Sequence, residues 1–176
     1  MIETERLYIR TFTESDFMDL FEYLSVPSVY LFEPGAPITL DEAKEMAVQR
    51  STSNDFLGVV LKETGKMVGH LYFKGLEPVE RRTWELGYIF NPKYYGKGYA
   101  SEAANAITLH AFVNLKAHRI MARCNPQNTA SWRLLERVGY VREGHFKKYG
   151  FVHKDERGNP IWTDAYEYSK IEQTKT

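Results

Sequence analysis

The stretch Tyr88-Ile89-Phe90-Asn91-Pro92-Lys93-Tyr94-Tyr95-Gly96-Lys97-Gly98-Tyr99-Ala100-Ser101-Glu102-Ala103 decides how this chain is read. Its first residues are aromatic or β-branched and stop at Asn-Pro, the pattern of a strand end. Two glycines and a lysine follow, and then an alanine-rich run with the composition of a helix. Strand, glycine turn and helix N-terminus in that order make an anion site. Glycine lets the backbone turn its N–H groups inward, and the helix end adds partial positive charge. The spacing is neither G-x-x-x-x-G-K-S/T nor G-x-G-x-x-G, so neither a Walker-type loop nor a dinucleotide fingerprint is indicated.

Outward from this segment the chain alternates strand and helix signals. Leu7–Phe12 reads as a first strand. Phe17, Leu20, Phe21 and Leu24 fall at helical spacing behind Thr13 and Ser15. Val26–Pro37, with three prolines and the aromatics Tyr30 and Phe32, is a connector or one wall of a site. Thr39-Leu40-Asp41-Glu42 matches a capping box and opens a helix through about Arg50. Phe56–Leu61 and Met67–Phe73 read as a hairpin, and Thr83–Phe90 as the next strand. Ala100 to about Leu115 is the central helix, Ile120–Cys124 a short strand, and Thr129–Val138 a helix closed by Gly139. Tyr140–Phe146 and Ile161–Tyr168 complete the set. The order β-α-α-β-β-β-α-β-α-β-β predicts one mixed α/β domain over residues 1–176, with a central, mostly antiparallel seven-stranded sheet and about four helices.

Composition narrows the partners. The chain has 176 residues, 43% hydrophobic and 14% aromatic, enough for a core without staples. Its 23 basic and 23 acidic residues cancel, leaving no excess charge to track a nucleic-acid backbone. No apolar run is long enough to span a bilayer, and a single cysteine excludes an internal disulfide. The expectation is a cytoplasmic protein, monomer or homodimer, engaging neither nucleic acid nor membrane.

A second motif lies downstream: Asn125-Pro126-Gln127-Asn128-Thr129-Ala130-Ser131-Trp132, then Leu134-Leu135-Glu136-Arg137-Val138-Gly139-Tyr140. Asn128 and Ser131 are three apart at a helix start, so both face the same way. Asn128 is also well placed as a plain N-cap, and the two roles are compatible.

Together the two segments resemble the GCN5-related N-acetyltransferases. Tyr95-Gly96-Lys97-Gly98-Tyr99-Ala100 is similar to the Q/R-x-x-G-x-G/A loop of that family, with Tyr95 replacing the leading Gln or Arg. The second segment is similar to the N-x-x-S…G-F/Y motif of the RimJ/RimL-type branch, which acetylates N-terminal amines of ribosomal proteins and includes enzymes for small amines. The resemblance covers nearly the whole chain and implies the acyl-CoA N-acyltransferase fold, with acetyl-CoA as cosubstrate and no metal. It implies that Gly96, Lys97, Gly98, Tyr99, Ala100 and Ser101 hold the diphosphate. Backbone groups of Tyr88, Ile89 and Phe90 hold the pantetheine and thioester carbonyl. Asn128 bonds the pantetheine arm, and Ser131 sits by the sulfur.

Acetyl transfer to an amine needs a polarised carbonyl, a deprotonated amine and a stabilised thiolate. Glu85, on the strand that ends at the cofactor site, is the base candidate; the competing role is a strand carboxylate in solvent or an ion pair. Other branches carry a glutamate at positions that here are Arg123 and Gly150. Many relatives place a tyrosine one helical turn past the Asn/Ser pair, where this chain has Leu135, which leaves Ser131 as hydrogen-bond donor to sulfur. Lys93 and Lys97 are candidates for CoA phosphates. Cys124 and the histidines read as structural. Tyr72, Trp84 and Tyr149 line an acceptor cleft or fill core. The expected function is an acetyl-CoA-dependent N-acetyltransferase acting on a primary amine, at a protein N-terminus or on a small molecule, by direct attack in a ternary complex. The alternative is a non-catalytic acyl-CoA-binding sensor.

Overall fold

A computed structural model describes residues 1–172; residues 173–176 of the expected domain lie outside the described residues. The strands are β1 (Ile2–Glu3), β2 (Leu7–Thr11), β3 (Phe56–Leu61), β4 (Met67–Gly75), β5 (Thr83–Phe90), β6 (Arg119–Cys124), β7 (Val141–Gly150) and β8 (Thr163–Ile171). The helices are α1 (Phe17–Leu24), α2 (Leu40–Ser51), α3 (Tyr99–Val113) and α4 (Thr129–Arg137). They build one sheet in the order β1-β2-β3-β4-β5-β6-β8-β7. Every pairing is antiparallel except β5 with β6.

The sheet has one strand more than the seven expected. Ile2 and Glu3 pair with Ile9 and Tyr8 because Thr4 turns the chain back, its N–H donating to the Leu7 carbonyl at 3.0 Å. A two-residue strand carries no periodicity that a sequence pattern can register. The last two strands also run past their expected ends. β8 reaches Ile171 because Ser169 is buried and the Lys170 ammonium caps the Val138 carbonyl at 2.7 Å, so polar side chains there belong to the ladder. β7 is an exposed edge whose register shifts between Phe146 and Gly150, which masks its alternation.

Apolar side chains on the two sheet faces form separate cores. On one face Leu71, Leu86 and Ile120 pack under α3 and α4 with Ile107, Leu135 and Tyr168. On the other, Val60 and Met67 meet Leu20, Tyr23 and Leu24 of α1 and Ala47 of α2. Thr39 caps α2 in the expected box: its N–H donates to Glu42 Oε2 at 2.6 Å while its own Oγ1 accepts from the Glu42 N–H.

One feature of this sheet makes the site. β5 and β6 are hydrogen-bonded only at Thr83–Arg119, Trp84–Ile120 and Glu85–Met121. Past Glu85, β5 stays with β4 through Phe90, while β6 stays with β8 through Cys124. The strands part there, and the wedge between them opens toward the N-termini of α3 and α4.

The wedge requires β4 and β5 to hold tightly together on its rim. A Cβ added at Gly69 would lie 2.7 Å from the Ile89 carbonyl oxygen and 2.7 Å from Phe90 Cδ1. Backbone at that distance has no room to yield. Gly69→Ala is expected to lower stability by about 1–3 kcal/mol, the range for overpacking; an unchanged midpoint in chemical denaturation would contradict it.

Candidate functional site

The wedge holds two cavities. The larger, about 660 Å³, runs from the end of β5 to the starts of α3 and α4. The smaller, about 470 Å³, lies between β5, β6 and the β7–β8 arm. They share a wall made of Phe32, Glu33, Tyr88, Asn128 and Ser131.

At the far end of the larger cavity the chain turns through Gly96 (φ 76°) and Gly98 (φ 83°), left-handed conformations that favour glycine. Gly98 is the N-cap of α3, and no side chain caps that helix, so its first N–H groups and its positive dipole end face the cavity. Glu102 in the first turn would oppose an anion there. Its charge is answered instead: Thr4 Oγ1 donates at 2.6 Å and Arg6 Nε at 2.7 Å. Burial pushes the Glu102 carboxyl up, but these bonds outweigh it and hold it low. Arg6 also donates to the Lys97 carbonyl at 3.0 Å and lies 4.6 Å over the Tyr99 ring. Arg6 therefore braces the turn from across the sheet.

The sequence candidates divide here. Gly96, Gly98, Tyr99, Ala100 and Ser101 line the cavity, and Tyr95 forms part of its wall. Lys97 contributes backbone to the turn, but its ammonium lies over the Tyr94 ring at 5.2 Å and its side chain is not part of the lining. Lys93 is taken up elsewhere. Its ammonium pairs with Glu22 at 3.0 Å, and Lys66 pairs with the same carboxylate at 2.6 Å. The Lys66 bond, against burial and with help from Lys93 and Asn91, holds Glu22 down to about 2. Arg137 is the cation that does line the cavity; its Nε donates to Ser101 Oγ at 3.2 Å and so links α4 to α3 across it.

Asn128 caps α4, accepting from the Ser131 N–H at 3.2 Å through Oδ1. Its amide NH₂ has no partner among the described residues and faces the shared wall. Ser131 Oγ lies 2.9 Å from the Tyr88 hydroxyl, which is also 3.1 Å from the Ser131 carbonyl. A carbonyl only accepts, so when the Tyr88 proton points to it the Ser131 hydroxyl donates to Tyr88. Burial pushes the Tyr88 phenol well above its ordinary range, more than its bond to Ser131 brings it down. The phenol therefore stays neutral, hydrogen-bonded to the Ser131 hydroxyl. Ile89 and Phe90 follow Tyr88 along the same cavity wall. Leu135 is fully buried in the core, turned away from the cavities.

Glu85 borders the smaller cavity only. Two other charges there are engaged. Arg123 pairs with Glu167 at 2.8 Å and lies 5.2 Å from the Tyr149 ring centroid, while Asp164 bonds His145 at 2.8 Å and Lys147 at 3.0 Å. Glu85 and Glu33 have no ion pair or hydrogen bond among the described residues. Cys124 belongs to this cavity as well as to the core, its thiol pushed up to about 11 by burial, which keeps it protonated and poorly nucleophilic. Tyr149 lines the cavity. Trp84 instead stacks on Phe73 at 4.9 Å and Tyr72 packs on Phe56 at 5.3 Å. His70 is buried against the Tyr23 hydroxyl at 2.7 Å and kept neutral by burial. Among the described residues no group of three or more His, Cys, Asp or Glu is arranged to hold a metal ion.

Sequence reading did not find Arg6, Glu33 or Arg137, nor the Tyr88 hydroxyl. The proline-rich loop was the available sign for Glu33. The others act through contacts far apart in the chain.

Residues 6–141 match the family model described as an acetyltransferase (GNAT) domain. The chain is 36% identical, over 98% of its length and 97% of the relative's, to YnaD, an uncharacterized N-acetyltransferase of Bacillus subtilis (strain 168). It is 28% identical, over 84% of its length and 81% of the relative's, to the [ribosomal protein uS5]-alanine N-acetyltransferase of Escherichia coli (strain K12). Among solved structures, an acetyltransferase of the GNAT family from Bacillus anthracis superposes with a TM-score of 0.86 at 37% identity, covering 97% of both chains.

The capping bond of Asn128 is tested by substitution. Asn128→Ala is expected to cost about 0.5–2 kcal/mol through the lost cap, whereas Asn128→Asp retains it. Equal melting temperatures for Asn128→Ala and the wild type would contradict the capping geometry.

Proposed function

This chain belongs to the GNAT family of N-acetyltransferases, and from that premise we propose that it passes an acetyl group from acetyl-CoA to a primary amine by direct attack in a ternary complex. The observation that carries the reading is the pair of cavities with one shared wall. A thioester held in the larger and an amine held in the smaller meet at Tyr88, Asn128 and Ser131.

The larger cavity fits the cosubstrate. The uncapped α3 N-terminus with Gly96 and Gly98 suits a diphosphate, and Arg137 adds the one cation of the lining. Backbone of Tyr88, Ile89 and Phe90, on the side of β5 abandoned by β6, is available to the pantetheine amides and the thioester carbonyl. The free amide of Asn128 supplies a further donor. Uncharged hydroxyls at Tyr88 and Ser131 stand where the thiolate departs; a proton given outward by one is replaced from the other. Thus the pair takes the part that Leu135 cannot.

The smaller cavity fits a cationic acceptor. Glu85 presents a carboxylate in it, unpaired among the described residues, that attracts an ammonium and stands on the path by which the released proton reaches solvent. The acceptor is a protein N-terminus or a small-molecule amine; the name of the Escherichia coli relative favours the first for that protein. A sensor that binds acetyl-CoA without turnover is separated from this reading by thiol release across a panel of amines and short peptides.

Saturating acetyl-CoA is expected to raise the melting temperature. A ligand at 100 times its Kd contributes about 2.7 kcal/mol to the native state. Gly98→Asp should abolish that shift while remaining folded, because it sets a carboxylate at the helix end and strains a left-handed position. A full shift in Gly98→Asp would move the diphosphate site elsewhere.

Tyr88→Phe is expected to lower kcat by about 10²-fold or more, with the KM for acetyl-CoA little changed. Wild-type kcat in Tyr88→Phe would assign thiolate protonation to Ser131 or solvent.

A further inference from the structure

We infer that Glu33 is a catalytic carboxylate of this enzyme, receiving the acceptor amine's proton at the point where the two cavities meet. This rests on the N-acetyltransferase reading and adds the residue that starts the reaction. Glu33 lies in the loop after the 3₁₀ turn Pro27–Leu31, between Phe32 and Pro34. It borders both cavities, whereas Glu85 borders only the smaller one. An amine poised to attack must stand at that boundary, so Glu33 is the nearer carboxylate to the reacting nitrogen.

The groups around it leave it unanswered. From β5, the Tyr88 phenol is raised chiefly by burial and further by the charge of Glu33; from the glycine turn, Tyr95 is raised in the same way. On the acceptor side stand the Cys124 thiol and Glu85, while Arg123 is held by Glu167 and Asp164 by His145 and Lys147. On the other side Arg137 is bonded to Ser101. His153 of the β7–β8 arm reaches the loop but bonds the Leu31 carbonyl at 3.1 Å. Among the described residues none of these cations pairs with Glu33. Burial without compensation pushes its carboxyl up to about 7. A base poised there is matched to neutral pH.

The acceptor ammonium gives one proton to the Glu33 carboxylate, and the freed nitrogen pair forms the N–C bond at the thioester carbonyl. As the C–S bond breaks, its electron pair leaves with sulfur, which gains a proton through the Tyr88 and Ser131 hydroxyls. The second nitrogen proton returns to that hydroxyl pair. Glu33 then releases its proton to solvent.

The test compares Glu33→Gln, Glu33→Asp and Glu85→Gln across pH, using the best amine found on the panel. The wild-type kcat/KM for the amine should rise through a limb near pH 7, about where Glu33 titrates. Glu33→Gln should lose that limb and fall by about 10²–10⁴-fold at neutral pH, with acetyl-CoA binding unchanged. Glu33→Asp should restore part of the rate and the limb. Stability gives an independent reading. A folded-state value raised above the unfolded one makes ionisation destabilising, so the wild type loses stability as pH rises from the unfolded carboxyl range through about 7. Glu33→Gln should therefore melt above the wild type by a margin that grows from about pH 5 to about pH 8. Retention of limb and rate in Glu33→Gln, or loss of the limb in Glu85→Gln alone, would overturn the assignment to Glu33. A wild-type protein that binds acetyl-CoA yet acetylates no amine would overturn it together with the parent reading.

Discussion

The parting of β5 from β6 is the constraint on which the rest of the molecule depends. A β-strand inside a sheet satisfies its backbone groups on both edges, and an edge left open in the interior is costly unless something else meets it. Here β5 keeps its β4 partner to Phe90 but has β6 only to Glu85. The abandoned edge is an unused row of donors and acceptors beside two cavities. The fold tolerates it because the sheet is clamped on either side of the wedge: Gly69 lets β4 close against β5, and β8 follows β6 to Cys124. Tyr88 then reaches from the open edge to Ser131 and ties the sheet to the start of α4.

Charge is distributed along the wedge to match. At the α3 end, Glu102 is neutralised by Arg6 and Thr4, so the helix dipole and Arg137 leave a net positive surface at the turn. In the smaller cavity Arg123 is consumed by Glu167 and Glu85 stays unpaired, and on the wall between the cavities so does Glu33, among the described residues. On the proposed reading, this arrangement suits a polyanion in the larger cavity and a cationic amine in the smaller. Near-zero net charge over the chain conceals this polarity because it is local, built by deciding which side chains are already satisfied.

What the sequence disclosed followed the range of the interaction. The glycine turn, the Thr39–Glu42 box and the Asn128–Ser131 pair are readable because each device spans a few residues. The helices and most strands were readable from periodicity. Arg6 bracing Glu102 joins residues 96 apart, and Tyr88 meeting Ser131 joins residues 43 apart; neither leaves a local trace. Lys93 shows the converse. It sits inside the glycine motif and looks like a phosphate ligand, yet Glu22, 71 positions earlier, holds it. Glu33 was hidden for a different reason: a lone carboxylate in a loop looks solvated until the fold half-buries it without a partner among the described residues.

Leu135 and Tyr88 together show how a chemical requirement can be met from another element. The reaction needs a proton carrier within reach of the departing sulfur, and a tyrosine one turn beyond Ser131 is one way to supply it. In this chain that position is packed at 0% exposure among Ile107, Ile120 and Tyr168, and its side chain holds α4 to the sheet. A polar hydroxyl there would face apolar neighbours and cost stability without a partner. A hydroxyl does come from β5: Tyr88 packs against the core on the α3/α4 face and its hydroxyl reaches Ser131 at the start of α4. Its phenol is kept protonated by burial and oriented by Ser131, which fits the donor role proposed for it. The leucine that reads as a defect along the helix closes the core, and the hydroxyl beside Ser131 is supplied from the strand instead.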